Sequence, residues 1–164
     1  SKLLRTILEN SRHKTVVLSE ELSAIDSYMA LQNLDVTPPF KYKLTIDPKI
    51  DKSALKIPPM LIQPFIENAI EHAFPNKKEN KEISIDLTFV DNKLVCKVLD
   101  NGVGINIENK TANRNKSSLA TKITAERLQM LSKEFSTEGS VTIQNRKEFG
   151  KQGTLVTLVI PYKN

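Results

Sequence analysis

"PPMLIQPFIENAIEHAF", residues 58–74, sets two patterns on one stretch of chain. Leu61, Ile62, Phe65, Ile66, Ala69, Ile70 and Ala73 recur at helical spacing and form a wide apolar stripe, while Gln63, Glu67, Asn68, Glu71 and His72 fall on the opposite side. This predicts a helix that Pro58-Pro59 can open, because the first turn of a helix does not need its amide hydrogens. The polar side has two readings. It is a solvated face, or it holds a ligand: Asn68 offers a neutral amide oxygen of the kind Mg2+ takes beside phosphates and water, Glu67 can orient a water or hydroxyl, and His72 suits a phosphate contact.

Periodicity on either side supplies the rest of the fold. Upstream, "LLRTILEN" (3–10) and "LSEELSAIDSYMALQNL" (18–34) read as helices. In the second, Ser19 stands as N-cap, Glu20 and Glu21 complement the helix dipole, and Leu22, Ile25, Met29 and Gln32 keep helical spacing. Asp35 to Pro39 breaks the chain, since proline cannot continue a helix and restricts its predecessor. This divides a helical appendage, 1–36, from a domain at 37–164. "FKYKLTI" (40–46) alternates as a strand, "EISIDLTFV" (82–90) and "KLVCKVL" (93–99) form a hairpin through Asp91-Asn92, and "ATKITAERLQMLSKEF" (120–135) is helical. "SVTIQNR" (140–146) and "GTLVTLVIP" (153–161) close the chain as strands. The expected fold is α+β, a two-layer sandwich of a mostly antiparallel sheet packed on helices.

Composition excludes several classes. With 39% hydrophobic residues over 164 positions there is material for one cored domain, and eight prolines with five glycines are too few for a low-complexity chain. Cys96 is the single cysteine, so no internal disulfide exists and the cytoplasm is the expected compartment. No apolar run approaches the roughly 20 residues that span a bilayer. The net charge of +5 does not mark a nucleic-acid binder: the lysines are scattered, "NKKENKE" (76–82) mixes in acids, and aromatics make up only 5%.

"DNGVGI", residues 100–105, follows the second hairpin strand directly. Asp100 at a strand end is a fixed acceptor suited to an exocyclic amine such as that of adenine, and Gly102 and Gly104 allow positive φ and keep side chains away from a flat ligand. An ordinary glycine turn capped by Asp100 fits the same six residues. Taken together with "IPPMLIQPFIENAIEHAF" and the closing "GTLVTLVIP", however, it closely resembles the ATP-binding domain of the GHKL superfamily, with the Bergerat fold. More narrowly it resembles the LytS/YehU type of sensor histidine kinase, whose helical prefix also looks like residues 3–34. The resemblance spans nearly the whole chain.

That resemblance implies the cofactors ATP and Mg2+, with Asn68 coordinating the metal, Glu67 in an acid/base or water-positioning role, and Asp100 reading the adenine amine. His72 falls beside the phosphates, Gly102 and Gly104 shape the pocket around the base, and Gly153-Thr154 start the strand that backs it. It further implies a histidine kinase that donates phosphate to a histidine elsewhere, a cognate response regulator, a homodimeric full-length protein, and a membrane link only through upstream sequence. An ATP-gated interaction module, like the gyrase and chaperone members, is the alternative. The chain departs from the pattern twice. "NKSSLATKITAERL" carries Ser117, Ser118 and Ala120 where a Gly-x-Gly-Leu box is usual, so helix N-terminal amides, the serine hydroxyls and Lys116 are left to meet phosphate after the basic stretch 106–116. No Pro-His-Phe-like motif surrounds His13 in "SRHK", which places the expected acceptor upstream of this segment.

Overall fold

The computed structural model describes residues 15–104 and 112–164, with the side chains of 112–120 outside that description. The expected helix at 3–10, His13 and residues 105–111 of the loop therefore lie outside the described residues. The elements are β1 (Val16–Val17), α1 (Leu18–Asn33), β2 (Lys41–Ile46), β3 (Lys56–Ile57), α2 (Gln63–His72), β4 (Glu82–Val90), β5 (Lys93–Asp100), α3 (Ala112–Phe135), β6 (Ser140–Asn145), a 3-10 turn (Arg146–Phe149) and β7 (Thr154–Ile160).

Five strands form one sheet in the order β2-β4-β5-β7-β6. Only the β2–β4 pair is parallel; the other three pairs are antiparallel, as the hairpin pattern leads one to expect. Asp91 and Asn92 both take positive φ, which matches the twist of the strands they join. Period two then sorts the side chains. Ile83, Ile85 and Leu87 of β4 lie beside Asp100, Val98 and Cys96 of β5, and Val98 and Cys96 lie beside Val156 and Leu158 of β7. All are buried, so Asp100 is the last member of an otherwise apolar inward row.

The helices supply the facing layer. Leu18, Leu22, Ile25 and Met29 of α1, Phe65, Ile66 and Ala69 of α2, and Leu128 of α3 join the sheet residues in one buried cluster. The expected division at residue 36 does not coincide with a break in this core. Besides the four α1 side chains, Val16 pairs with Ile57, and the amides of Leu18 and Ser19 donate to the carbonyls of Leu55 and Lys52. Those backbone acceptors satisfy the start of α1, so Ser19 is not its N-cap; that position is Val17, without a side-chain cap. Helix α2 is shorter than Pro58-Pro59 suggests. It begins at Gln63, with Pro64 supplying the missing amide in the first turn. Among the described residues no helix is long and apolar enough to cross a membrane.

Candidate functional site

At the end of β5 the chain turns and plugs into the C-terminal end of α2. The amide of Val103 donates to the carbonyl of Ala73 at 2.8 Å. A Cβ on Gly102 would stand 2.1 Å from that same carbonyl oxygen, so only glycine lets the loop come this close. The missing side chain thus makes room for protein backbone, whereas the sequence had suggested room for a ligand. Gly153 works likewise from the other side: its φ is +113, and a Cβ there would lie 1.9 Å from the Asp100 carbonyl oxygen. Gly104, with φ +81, sits against the side-chain amide of Asn145 and the carbonyl of Gly153. Asn101 fastens the turn to β4 by accepting from the amide of Glu82 and donating to the carbonyl of Asn80.

These contacts fix the Asp100 carboxylate. Its Oδ1 accepts from the amides of Gly102 at 2.9 Å and Thr154 at 3.2 Å, so Oδ2 is the oxygen left to an incoming donor. Burial pushes the carboxyl above its ordinary range, against the pull of the two amides and of the Arg146 guanidinium. Arg146 also donates from Nη1 to the Asp100 carbonyl at 2.7 Å, and its own amide donates to the carbonyl of Gly153. Sequence reasoning passed over Arg146, because an arginine just past a strand has no local signature.

The C-terminal end of α2 meets the turn after β5 through Ala73, and Glu67, Asn68, Glu71 and His72 of the helix lie within two turns before it. The carboxylate of Glu67 accepts from Gln63 Nε2 at 3.2 Å, one helical turn back. Tyr28 of α1 was likewise unforeseen: burial raises its phenol above the ordinary value, and the negative charges of Glu67 and Glu71 raise it further, so it faces the acidic side of α2. Asn68 is half-buried and makes no hydrogen bond with the described residues. His72, one turn on, has both ring nitrogens buried without a hydrogen-bond partner among them, although Nε2 comes within 3.4 Å of Glu71 Oε2. Buried polar groups are normally bonded, which makes the two ring nitrogens of His72 exceptions among the described residues.

The set suits a nucleotide with its metal. Among the described residues no three His, Cys, Asp or Glu side chains are grouped to hold a metal ion alone. Asn68 is the residue here that would hold a cation, through its neutral amide oxygen, with phosphates and water supplying the other ligands, a donor set that suits Mg2+. Helix α3 begins at Ala112, eight residues earlier than the sequence suggested. With no glycine at 117, 118 or 120, nothing interrupts the helix there. Residues 116–118 therefore lie inside α3 and not at its N-terminus, and the side chains of Lys116, Ser117 and Ser118 are outside the described residues.

Residues 59–164 match the family described as histidine kinase-, DNA gyrase B-, and HSP90-like ATPases. The chain is 31% identical to the sensor protein LytS of Staphylococcus epidermidis and 35% identical to that of Staphylococcus saprophyticus, each time over 100% of this chain and 27% of the relative. It thus spans about a quarter of the length of these curated relatives. Among solved structures, the catalytic domain of histidine kinase ThkA has a TM-score of 0.57 at 17% identity, covering 90% of this chain and 95% of that one. Histidine kinase AdeS of Acinetobacter baumannii has a TM-score of 0.59 at 15% identity, covering 98% and 75% respectively. At such identities the likeness speaks for the fold alone, and it agrees with the α+β sandwich expected from the sequence. The matched residues make up well over half of the chain, so the chain belongs to the histidine kinase-, DNA gyrase B- and HSP90-like ATPases, and it is similar along its whole length to about a quarter of the length of the LytS sensor proteins.

Proposed function

We propose that the domain binds Mg·ATP and delivers the γ-phosphoryl group to a histidine outside this segment. The observation that carries the reading is Asp100: a buried carboxylate with one oxygen saturated by two amides and the other left for a donor. An exocyclic amine on a flat base is the ligand group that suits it. Asp100 then selects adenine, Gly104 lets the base approach the loop, and Thr154 and Gly102 hold the carboxylate through their amides. Farther along α2, Asn68 turns its amide oxygen to the metal, and His72 donates a ring N–H to a phosphate oxygen. Glu67, steadied by Gln63, accepts the N–H of the incoming imidazole and aligns it with the γ-phosphorus. Mg2+, when bound, neutralises charge developing on the transferring group. Phosphoryl transfer asks mainly for such placement and charge compensation, so no nucleophile of this chain takes part.

The whole protein is proposed to be a homodimer working on the cytoplasmic side, and to pass phosphate to a cognate response regulator. Support for that partner comes from a similar structure, of ThkA in complex with the response regulator protein TrrA.

Two results follow from this reading. Asn68→Ala is expected to remove the magnesium-dependent part of ATP binding, about tenfold or more for a lost charge-assisted contact, while adenosine binds as before; equal losses for both ligands point to misfolding. The isolated chain is expected to bind Mg·ATP yet acquire no stable phosphate of its own, and to label a separate fragment of the same protein that carries the acceptor. Radiolabelled ATP and a test for acid-labile, base-stable label check this. Label mapping to His13 overturns it.

A further inference from the structure

Outside the nucleotide site, two oppositely charged residue types are buried against the backbone of one residue, on the peptide units before and after it. Glu21 of α1 and Arg127 of α3 are each only 5% exposed. Glu21 Oε2 accepts from the amide of Met60 at 3.3 Å, and Arg127 Nη1 donates to the carbonyl of Met60 at 3.3 Å. Met60 itself is in the left-handed region, φ 62, and its side chain is 44% exposed, so packing of that side chain is not what keeps the backbone there. The two polar side chains do so. Both have capacity to spare: Glu21 Oε1 and Arg127 Nε and Nη2 are buried with no hydrogen-bond partner among the described residues.

Met60 lies just ahead of α2, whose N-terminus has no side-chain cap from its own residues. The amides of Met60, Gln63 and Ile62 favour ionised Glu21, against burial, which raises its carboxyl. A carboxylate from α1 therefore occupies the positive end of α2. Burial lowers Arg127 to about 10, which leaves it charged at neutral pH, and its positive charge favours the ionised form of Glu21. An unpaired buried charge is costly, and that cost is lessened here because each side chain has the other nearby, across the Met60 backbone.

We propose that Glu21 and Arg127 form a polar clamp on the backbone N–H and C=O of Met60 that sets the position of α2 against α3, and so places Asn68 and His72 at the triphosphate. Both are positioning residues, and the assignment rests on the function proposed above. The adenine end of the site does not depend on them, because Asp100 is held by Gly102, Thr154 and Arg146. The clamp thus acts on one end of the nucleotide only.

The test compares adenosine with Mg·ATP in the full chain carrying Glu21→Gln, Arg127→Met, both together, or Arg127→Lys, with binding measured well below each melting temperature. Adenosine affinity is expected to stay within about twofold, while the preference for Mg·ATP falls about tenfold in each single variant, the scale of one lost hydrogen bond to a charged group. The double variant should lose no more than the worse single one, because the two side chains act as a unit. Arg127→Lys, which keeps a charged donor, should recover part of the preference and stays measurable where Arg127→Met folds poorly. A preference for Mg·ATP that survives in every variant, or a parallel loss of both ligands in Arg127→Lys and Glu21→Gln, overturns the clamp. A wild-type protein that binds adenosine and Mg·ATP equally overturns the reading of the site, and the clamp with it.

Discussion

Asp100→Asn is expected to weaken Mg·ATP binding about a hundredfold while leaving the melting temperature of the ligand-free protein unchanged or slightly higher. A hydrogen bond to a charged acceptor contributes about 1.5–3 kcal/mol, and each 1.4 kcal/mol is tenfold in affinity. The variant also turns an amide N–H2 toward the amine of adenine, two donors face to face, because the Oδ1 side stays engaged by Gly102 and Thr154. The sign of the stability effect comes from titration. Burial raises the carboxyl in the folded state, so folding favours the protonated form, and holding the ionised form there costs stability that asparagine does not lose. In the wild-type protein, adenosine affinity should fall with acid from a pH higher than an ordinary aspartate would give, as the acceptor oxygen gains a proton. The Asn variant should lack that limb. GTP, which presents a carbonyl in place of the amine, should bind the wild type poorly and be less disfavoured in the variant. Calorimetric titration checks all three, and wild-type ATP affinity in Asp100→Asn removes Asp100 from the site.

That Asp100 is a buried carboxylate closing an apolar row is legible in the sequence. Strand periodicity puts Leu94, Cys96, Val98 and position 100 on one face, so a carboxylate there must end an apolar row, and glycines two and four residues on signal a backbone needing close approach or positive φ. The same logic made the stripe of α2 and the hairpin through Asp91-Asn92 readable. What stayed hidden depends on contacts far apart in the chain. β1 and β3 are two residues each, too short for any period, and exist because Val16 meets Ile57. The start of α1 is satisfied by carbonyls at 52 and 55, which no capping rule for Ser19 anticipates. Glu21 reads as a first-turn acid complementing its own helix, yet its carboxylate serves the start of α2. Arg127 reads as a surface arginine on a polar helix until the fold buries it against Met60. Charged residues in particular mislead here, since burial of a charge is decided by partners that periodicity does not reveal.

The glycines offer the sharpest contrast between two positions alike in sequence. Gly153→Ala is expected to lower the melting temperature by about 10 °C and to abolish ATP binding, whereas Gly150→Ala should cost only about 2–4 °C and leave ATP affinity intact. Both residues have positive φ, +113 and +70, so both substitutions carry backbone strain. At Gly150 nothing lies within 4 Å of the added methyl, and strain of about 1 kcal/mol is the whole effect. At Gly153 the methyl would stand 1.9 Å from the carbonyl oxygen and 2.7 Å from the carbonyl carbon of Asp100, and 2.9 Å from Cα of Asn101. Backbone cannot swing aside as a side chain can, so overlap adds to strain for about 2–6 kcal/mol in all, a large share of the 5–15 kcal/mol that holds a domain folded. Relief requires β7 and the 100–101 turn to separate. That separation takes the Thr154 amide off Asp100 Oδ1 and the Gly153 carbonyl off the Arg146 amide, which are the bonds that aim the carboxylate. ATP binding must therefore fail even at temperatures where the variant is folded, and a Gly153→Ala protein that binds ATP normally would show that the β5–β7 junction does not position the adenine-reading group.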